Sequence, residues 1–238
     1  MPPDWLQDLA KAYLSASFLC AVIVVADLRR HPQPMWIMNV VWPVTALYWG
    51  PVALWGYWTI GRASTGSAAH AHAAGGMSHA GARPGARAAV ADASWREVAV
   101  GVAHCGAGCT LGDIAGEWLV FSHGWTLFGK MIYAEFVVDF AFAYVLGIAF
   151  QYFAIAPMRG LSLKDGIIAA LKADTVSLIA FEVGLFAWMA LSAMVLFPAD
   201  NPASWNYWFM MQIGMIVGFL TSYPANAWLI RKGIKEAM

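Results

Sequence analysis

Long apolar runs bounded by charged residues limit what this chain can fold into more than any other feature. Six such runs recur, and with a helical extension of the first, each suits a membrane-crossing helix. They lie at about 12–26, between 31 and 62, and at about 98–120, 130–155, 166–196 and 205–230. A segment that crosses lipid must satisfy its own backbone hydrogen bonds, so each run is expected to be helical. The sequence therefore predicts an all-α, polytopic membrane helix bundle with about six transmembrane helices.

Composition supports this class and excludes several functions. Hydrophobic residues make up 61% of the chain and charged residues 12%, so the lipid bilayer is its expected partner. The formal net charge is zero, which offers no basic surface for nucleic acid. The sequence has no Walker motif, nucleophile elbow or dinucleotide fingerprint, so we expect no nucleotide cofactor. Enzymatic activity is left open, and a non-enzymatic protein is favoured.

The chain divides into three parts. Residues 1–60 hold two helices, of which the second is expected to be a single kinked span, because Pro43 and Pro51 interrupt it. Residues 61–94 are rich in Ala, Gly and Ser and predict a flexible loop, whereas 95–238 form a four-helix core. The loop histidines suit weak metal capture or a plain low-complexity linker. These histidines are His70, His72 and His79.

Lysine and arginine predict the orientation of the bundle. With six spans, one face carries eleven of the fourteen basic residues, and only Arg29, Arg30 and Lys130 lie opposite. Cytoplasmic loops of membrane proteins are enriched in these residues. We therefore expect a bacterial inner-membrane protein with both termini and the histidine loop in the cytoplasm.

The third apolar run carries an unusual stripe of reactive side chains. On a helix, residues four apart share a face, and this stripe places two soft sulfur groups before two hard carboxylates. Its members are Cys105, Cys109, Asp113 and Glu117. A ladder of small residues lies beside it and predicts close approach of another helix, or a homo-oligomer. This ladder consists of Gly108, Gly112 and Gly116, and Gly214 with Gly218 forms a second pair.

Six acids fall within predicted spans, where each costs about 3 kcal/mol at the bilayer centre. They are Asp113, Glu117, Glu135, Asp139, Asp174 and Glu182. Three of them, Glu117, Glu135 and Asp174, lie nearer span ends and could equally sit at interfaces or neutralise Lys130 and Lys172. Counted along straight helices, the other three share one level with Met215. We expect these groups to line the interior of the bundle.

The two cysteines of the stripe have three interpretations: metal ligands, packing residues, or a redox pair. Helical residues four apart are about 5–6 Å apart at Cβ, too far for a disulfide without unwinding, whereas a metal ion can bridge the gap. The metal interpretation is favoured, with Met211 and Met215 as further sulfur ligands for Cu(I), or carboxylate and histidine for Zn(II). His104 points away from the pair and joins only if the helix is distorted.

Five segments together resemble a known family. The most specific is His104-Cys105-Gly106-Ala107-Gly108-Cys109, and later segments begin at Pro157, Lys172, Trp208 and Tyr223. They are similar to a bacterial membrane family catalogued as domain of unknown function 4396. The resemblance covers roughly residue 104 to the C-terminus. It implies a membrane location and says nothing about chemistry.

Three functions remain open from the sequence. The leading hypothesis is an integral membrane protein that binds, and transports, a copper or zinc ion through an acid- and Cys/Met-lined bundle. The second is a membrane thiol oxidoreductase using Cys105 and Cys109. The third is a structural assembly factor whose acids serve only interhelical pairing. Haem ligation is disfavoured, because His104 is the only histidine clearly within a span.

Overall fold

The computed structural model describes residues 2–63 and 94–235, and these residues form helices without a named strand. Within these ranges five helices are long and apolar enough to cross a membrane, so the chain is a multi-pass membrane protein and the predicted all-α bundle is confirmed. The seven α-helices are α1 (Asp4–Leu28), α2 (Met38–Trp49), α3 (Pro51–Gly56), α4 (Trp95–His123), α5 (Met131–Arg159), α6 (Leu163–Leu191) and α7 (Trp205–Arg231). π-helical turns follow α3 at Tyr57–Gly61 and α6 at Ser192–Leu196.

Helix α4 is the centre of the bundle. A capping box starts it: Glu97 N–H donates to Ser94 Oγ at 3.3 Å, and Ser94 N–H donates to Glu97 Oε2 at 2.6 Å. It ends at Gly124, whose left-handed φ of 64° suits glycine. Within its most apolar stretch, 72% of the residues are buried, against 28–39% for the other four long helices. The remaining helices therefore pack around α4.

The glycine ladder of α4 packs against the backbone of α5, as predicted. A Cβ added to Gly108 would lie 2.7 Å from the Gly147 Cα, and one on Gly112 would collide with the backbone of Ala143. The second predicted pair packs against α6, where a Cβ on Gly218 would lie 2.7 Å from the Phe181 carbonyl oxygen. Both ladders are buried inside one chain, so they give no support to the predicted homo-oligomer.

The prediction of a second full span is wrong, because the segment after α1 enters and leaves the bundle at one face. Helix α2 runs back along α1 to the level of Ser17, where a Cβ on Gly50 would lie 2.8 Å from the serine hydroxyl. The chain then reverses, and Arg62 Nε donates to Asp27 Oδ2 near the end of α1 at 2.8 Å. Residues 38–61 are therefore a re-entrant helical hairpin with its tip at Gly50.

The hairpin tip has partners for the carbonyl groups that the reversal frees. Gly50 adopts a left-handed φ of 54°, and the proline that follows it lacks an N–H. The carbonyl of Leu47 accepts a hydrogen bond from Gln212 Nε2, and that of Trp49 accepts one from the Tyr13 hydroxyl at 3.4 Å. Non-helical backbone at membrane depth is tolerated where protein supplies such partners. Pro51, which had predicted a kink in a single span, marks the point where the chain reverses.

Five crossings place the described ends of the chain at opposite faces, which corrects the prediction that both termini share one face. We call the face with residues 2, 124–130 and 197–204 the N-terminal face. The C-terminal face holds residues 29–37, 62–63, 160–162 and 232–235. One smaller boundary also differs: α5 continues past Pro157 to Arg159 and ends at Gly160, whose φ is 60°.

Candidate cation pathway in the bundle core

The two thiols of α4 lie at the centre of the bundle. Cys105 and Cys109 are fully buried and close enough to interact with each other. The Ser177 Oγ lies 3.7 Å from the Cys105 sulfur. Tyr48, from the hairpin tip, also reaches this level: a Cβ on Gly106 would lie 3.0 Å from the Tyr48 hydroxyl oxygen. The thiols therefore occupy a shared centre built from α4, α6 and the re-entrant hairpin.

Carboxyl groups extend from the thiols toward the N-terminal face. Cys109 lies close enough to Glu182 and Asp113 to interact electrostatically with both. The interactions of Asp113 continue to Glu117 and Asp139, so the structure brings together groups that the depth count assigned to one level. At most 2% of each of these acids is exposed. They form a buried row between α4, α5 and α6.

The row ends at a cavity on the N-terminal face. Glu117 lies beside Glu135 and Tyr207, and the last two line a cavity of about 390 Å3 together with Lys130 and Asp200. The cavity therefore joins the surface of the bundle to its buried acids. Among the described residues, none of the five acids in the row forms an ion pair. The members of this outer row are Asp113, Glu117, Glu135, Asp139 and Glu182.

A second polar group, the inner cluster, lies on the C-terminal side of the thiols. Its centre is an ion pair between Lys235 Nζ and Asp174 Oδ1 at 2.8 Å, with both side chains fully buried. Ser177 Oγ donates to the same carboxylate oxygen at 2.8 Å. His104 lies close enough to interact electrostatically with both charges. Because Ser177 contacts both Asp174 and Cys105, it connects the inner cluster to the thiols.

The structure divides the predicted metal ligands among three environments. Cys105, Cys109 and Asp113 belong to the thiol centre, whereas His104 belongs to the inner cluster because α4 stays helical through this turn. The methionines face another side of α4, where Met215 Sδ accepts a hydrogen bond from Thr110 Oγ1 at 3.7 Å. Within residues 2–63 and 94–235, no three His, Cys, Asp or Glu side chains form a ready-made metal site.

The methionine side of α4 borders a separate space. Met211 and Met215 line a cavity of about 190 Å3 with Leu14, Thr110 and Trp208. Both methionines pack in the same hydrophobic cluster as the thiols. The loop histidines proposed for metal capture fall outside the residues that the structure describes. These are His70, His72 and His79.

Three contributors to the site were missed by the sequence reasoning. Lys235 follows Gly233, and a glycine just after a helix is a signal for a chain reversal. Tyr48 is carried inward by the hairpin, which a kinked span would not have indicated. Tyr207 lies in the first turn of α7, where the sequence alone suggests an aromatic residue at the membrane interface. Only the first of these had a readable local signal.

The fold and the buried site define a multi-pass, all-helical membrane protein with acidic and thiol side chains inside its bundle. The family described as Domain of unknown function (DUF4396) matches residues 94–235, so this chain belongs to that family. The match runs from the N-cap of α4 to Lys235 and leaves out α1 and the hairpin. Comparison with curated proteins and with solved structures found no significant match.

Proposed function

We propose that this chain binds a transition-metal cation, copper or zinc, at Cys105 and Cys109 and moves it across the membrane along the outer row. The observation that supports this proposal is the continuity of polar groups through the bundle. They run from the cavity at Glu135 through buried acids to the thiols, and from the thiols through Ser177 to Asp174.

Charge balance favours a cationic cargo. Five carboxyl groups buried in a membrane protein are expensive to ionise without a counter-charge, and no described residue pairs with them. Protons neutralise them in the resting state, and a metal ion that passes along the row displaces those protons. A path of this kind exchanges cation for protons without a stable ion pair that would trap the cargo.

Ligand chemistry favours a soft or borderline ion at the centre. Paired thiolates suit Cu(I) and Zn(II), and carboxylates such as Asp113 and Glu182 suit Zn(II) in addition. The oxidoreductase alternative is disfavoured, because α4 remains helical between the cysteines and holds them at a spacing too long for a disulfide. Metal binding should also weaken as pH falls, since the thiolate is the ligand.

Basic residues support a cytoplasmic location for the C-terminal face. Of the twelve lysines and arginines in the described ranges, ten lie at or near this face, and only Lys11 and Lys130 lie toward the other. The re-entrant hairpin sharpens this bias, because it moves Arg29 and Arg30 to the basic side. By the positive-inside rule the N-terminus is then periplasmic in a bacterial inner membrane. The cavity at Glu135 opens to the periplasm.

The decisive experiment measures Zn2+ and Cu(I) content of the purified protein and uptake into proteoliposomes. The variant Cys105→Ser/Cys109→Ser should lose the metal ion that the thiols hold and, with it, uptake. The matched control is Cys20→Ser, because Cys20 is buried on α1 in a different hydrophobic cluster. Full metal content and uptake in the double variant would overturn the proposal.

The same material tests the alternatives. A thiol oxidoreductase would hold no metal, and its two thiols would convert to a disulfide while a quinone takes up two electrons and two protons. An assembly factor would show neither metal nor thiol oxidation, and the double serine variant would be indistinguishable from the wild type in both measurements. Either pattern rules out cation transport at the thiols.

A further inference from the structure

The C-terminal turn of the described chain folds back into the bundle. Gly233 takes a left-handed φ of 68°, which ends α7 and reverses the backbone. The Ile234 and Lys235 amides then donate to the Leu229 carbonyl at 3.0 and 3.3 Å. This turn directs Lys235 inward, although lysines and arginines at the end of a membrane helix ordinarily reach the aqueous interface. Its side chain is fully buried beside Asp174.

Several buried polar atoms around the ion pair have no hydrogen-bond partner among the described residues. They include Asp174 Oδ2 and the ring nitrogens of His104, which make no hydrogen bond of full geometry although the backbone of Phe150 lies beside the ring; both residues are fully buried. Gln151 is also fully buried with both amide atoms unpaired. It lies one helical turn after Gly147, where an added Cβ would be 3.8 Å from Asp174 Oδ2. The cluster thus contains more ligand atoms than the lysine uses.

We propose that the inner cluster is a second metal-binding site, for a borderline divalent cation such as Zn2+, and that Lys235 closes it by occupying the position of the cation. The Lys235 ammonium donates to Asp174 Oδ1 and makes no hydrogen bond to His104, so the acceptor nitrogen of the imidazole is left without a donor. A zinc ion would use the carboxylate and the imidazole together. Asp174 and His104 are its principal ligands, and the Ser177 hydroxyl lies beside the carboxylate.

The position of the cluster gives this site a role as an exit gate. Ser177 joins it to Cys105, and Ile234, next to Lys235, lines a cavity of about 410 Å3 at the C-terminal face. Lys235 therefore lies between the thiols and that face. A cation arriving from the thiols displaces the ammonium, and the C-terminal turn swings outward. In this part the inference builds on the proposed function, but binding at the cluster does not depend on binding at the thiols.

The wild-type protein offers a direct test through the reactivity of lysine amines. Labelling of Lys235 by an amine-reactive ester should be slow without metal and increase several-fold when Zn2+ is added. Lys232, which is exposed three residues earlier, is the internal control and should label equally in both conditions. Unchanged labelling of Lys235 over a full Zn2+ titration would show that the pair is a structural lock and overturn the proposal.

A variant series separates this site from the thiol site. In the background Cys105→Ser/Cys109→Ser, the change Lys235→Met should add one bound Zn2+ per chain, and a further Asp174→Asn should remove it. Lys232→Met in the same background should add none. If the thiols of the wild-type protein bind metal but the Lys235→Met series binds none, the inner site fails and the proposed function stands. The reverse pattern supports the inner site and overturns the thiol site.

Discussion

The Arg62 guanidinium donates two hydrogen bonds to the Asp27 carboxylate, from Nε to Oδ2 at 2.8 Å and from Nη2 to Oδ1 at 2.9 Å. These residues are 35 positions apart, yet they end α1 and the hairpin at the same face. The Tyr57 hydroxyl donates to the same carboxylate at 2.8 Å. The pair therefore fixes the hairpin as re-entrant, and every later crossing changes direction relative to a six-span chain.

The first prediction concerns topology. A reporter that is active in the periplasm, fused before residue 2, should give a signal, while the same reporter after residue 238 should not. A reporter active in the cytoplasm should give the opposite result. The reason is the odd number of crossings combined with the basic C-terminal face.

A fusion at residue 63 is the matched control for the hairpin. Residue 63 follows the hairpin and residue 31 precedes it. Fusions at both positions should report the cytoplasm. Opposite signals at 31 and 63 would mean that 38–61 crosses the membrane completely. Such a result would restore the six-span arrangement with both termini on one side.

The second prediction tests the hydrogen bond that Gln212 donates to the Leu47 carbonyl at the hairpin tip. Gln212→Leu should lower the free energy of unfolding by about 1–3 kcal/mol, because it leaves a buried carbonyl without its donor. Gln151→Leu is a same-chemistry control, since the Gln151 amide has no partner to lose. Thermal unfolding in detergent compares the two. Equal melting temperatures for them would show that the tip does not depend on Gln212.

Much of the bundle could be predicted from sequence because its signals are local. The apolar runs defined the five long helices, and the fourfold spacing from Cys105 to Glu117 placed one stripe on one face. Small residues at Gly108 and Gly112 correctly predicted a close neighbour. These properties follow from helix periodicity and side-chain size, which the sequence states directly.

The errors arose where distant residues decide the structure. Pro51 indicated an interrupted helix. The reversal at that depth is stabilised by hydrogen bonds from Tyr13 and Gln212, which are far away in sequence. The sequence offered Lys130 and Lys172 as lysines that the acids could neutralise, whereas Asp174 pairs with Lys235, 61 residues later. Pairings of this range depend on the packed bundle and leave no periodic signal.

The third prediction concerns the contact between α4 and α5. Gly112→Ala should destabilise the protein by about 1–3 kcal/mol, and Gly112→Leu by more, because any Cβ here collides with the Ala143 backbone. Gly56→Ala is the matched helical control, since a Cβ at Gly56 meets nothing within 4 Å. Melting temperatures in detergent give the comparison. If Gly112→Ala has the same melting temperature as the wild type, the two helices separate more easily than their packing indicates.

The last prediction concerns Glu182, which joins the outer row to the thiols through Cys109. Zn2+ that binds the folded protein raises its stability, by about 2.7 kcal/mol at a free concentration 100 times the dissociation constant. Glu182→Gln keeps the size of the side chain but cannot ionise when a metal ion arrives. It should therefore reduce this gain and slow Zn2+ uptake while leaving the metal-free melting temperature near that of the wild type. Asp8→Asn, at an exposed acid on α1, should change neither quantity. The measurement is the melting temperature across a Zn2+ titration, alongside uptake into proteoliposomes. A Glu182→Gln protein with the full zinc-dependent shift and normal uptake would separate the outer row from the thiol centre and leave the acids with a structural role only.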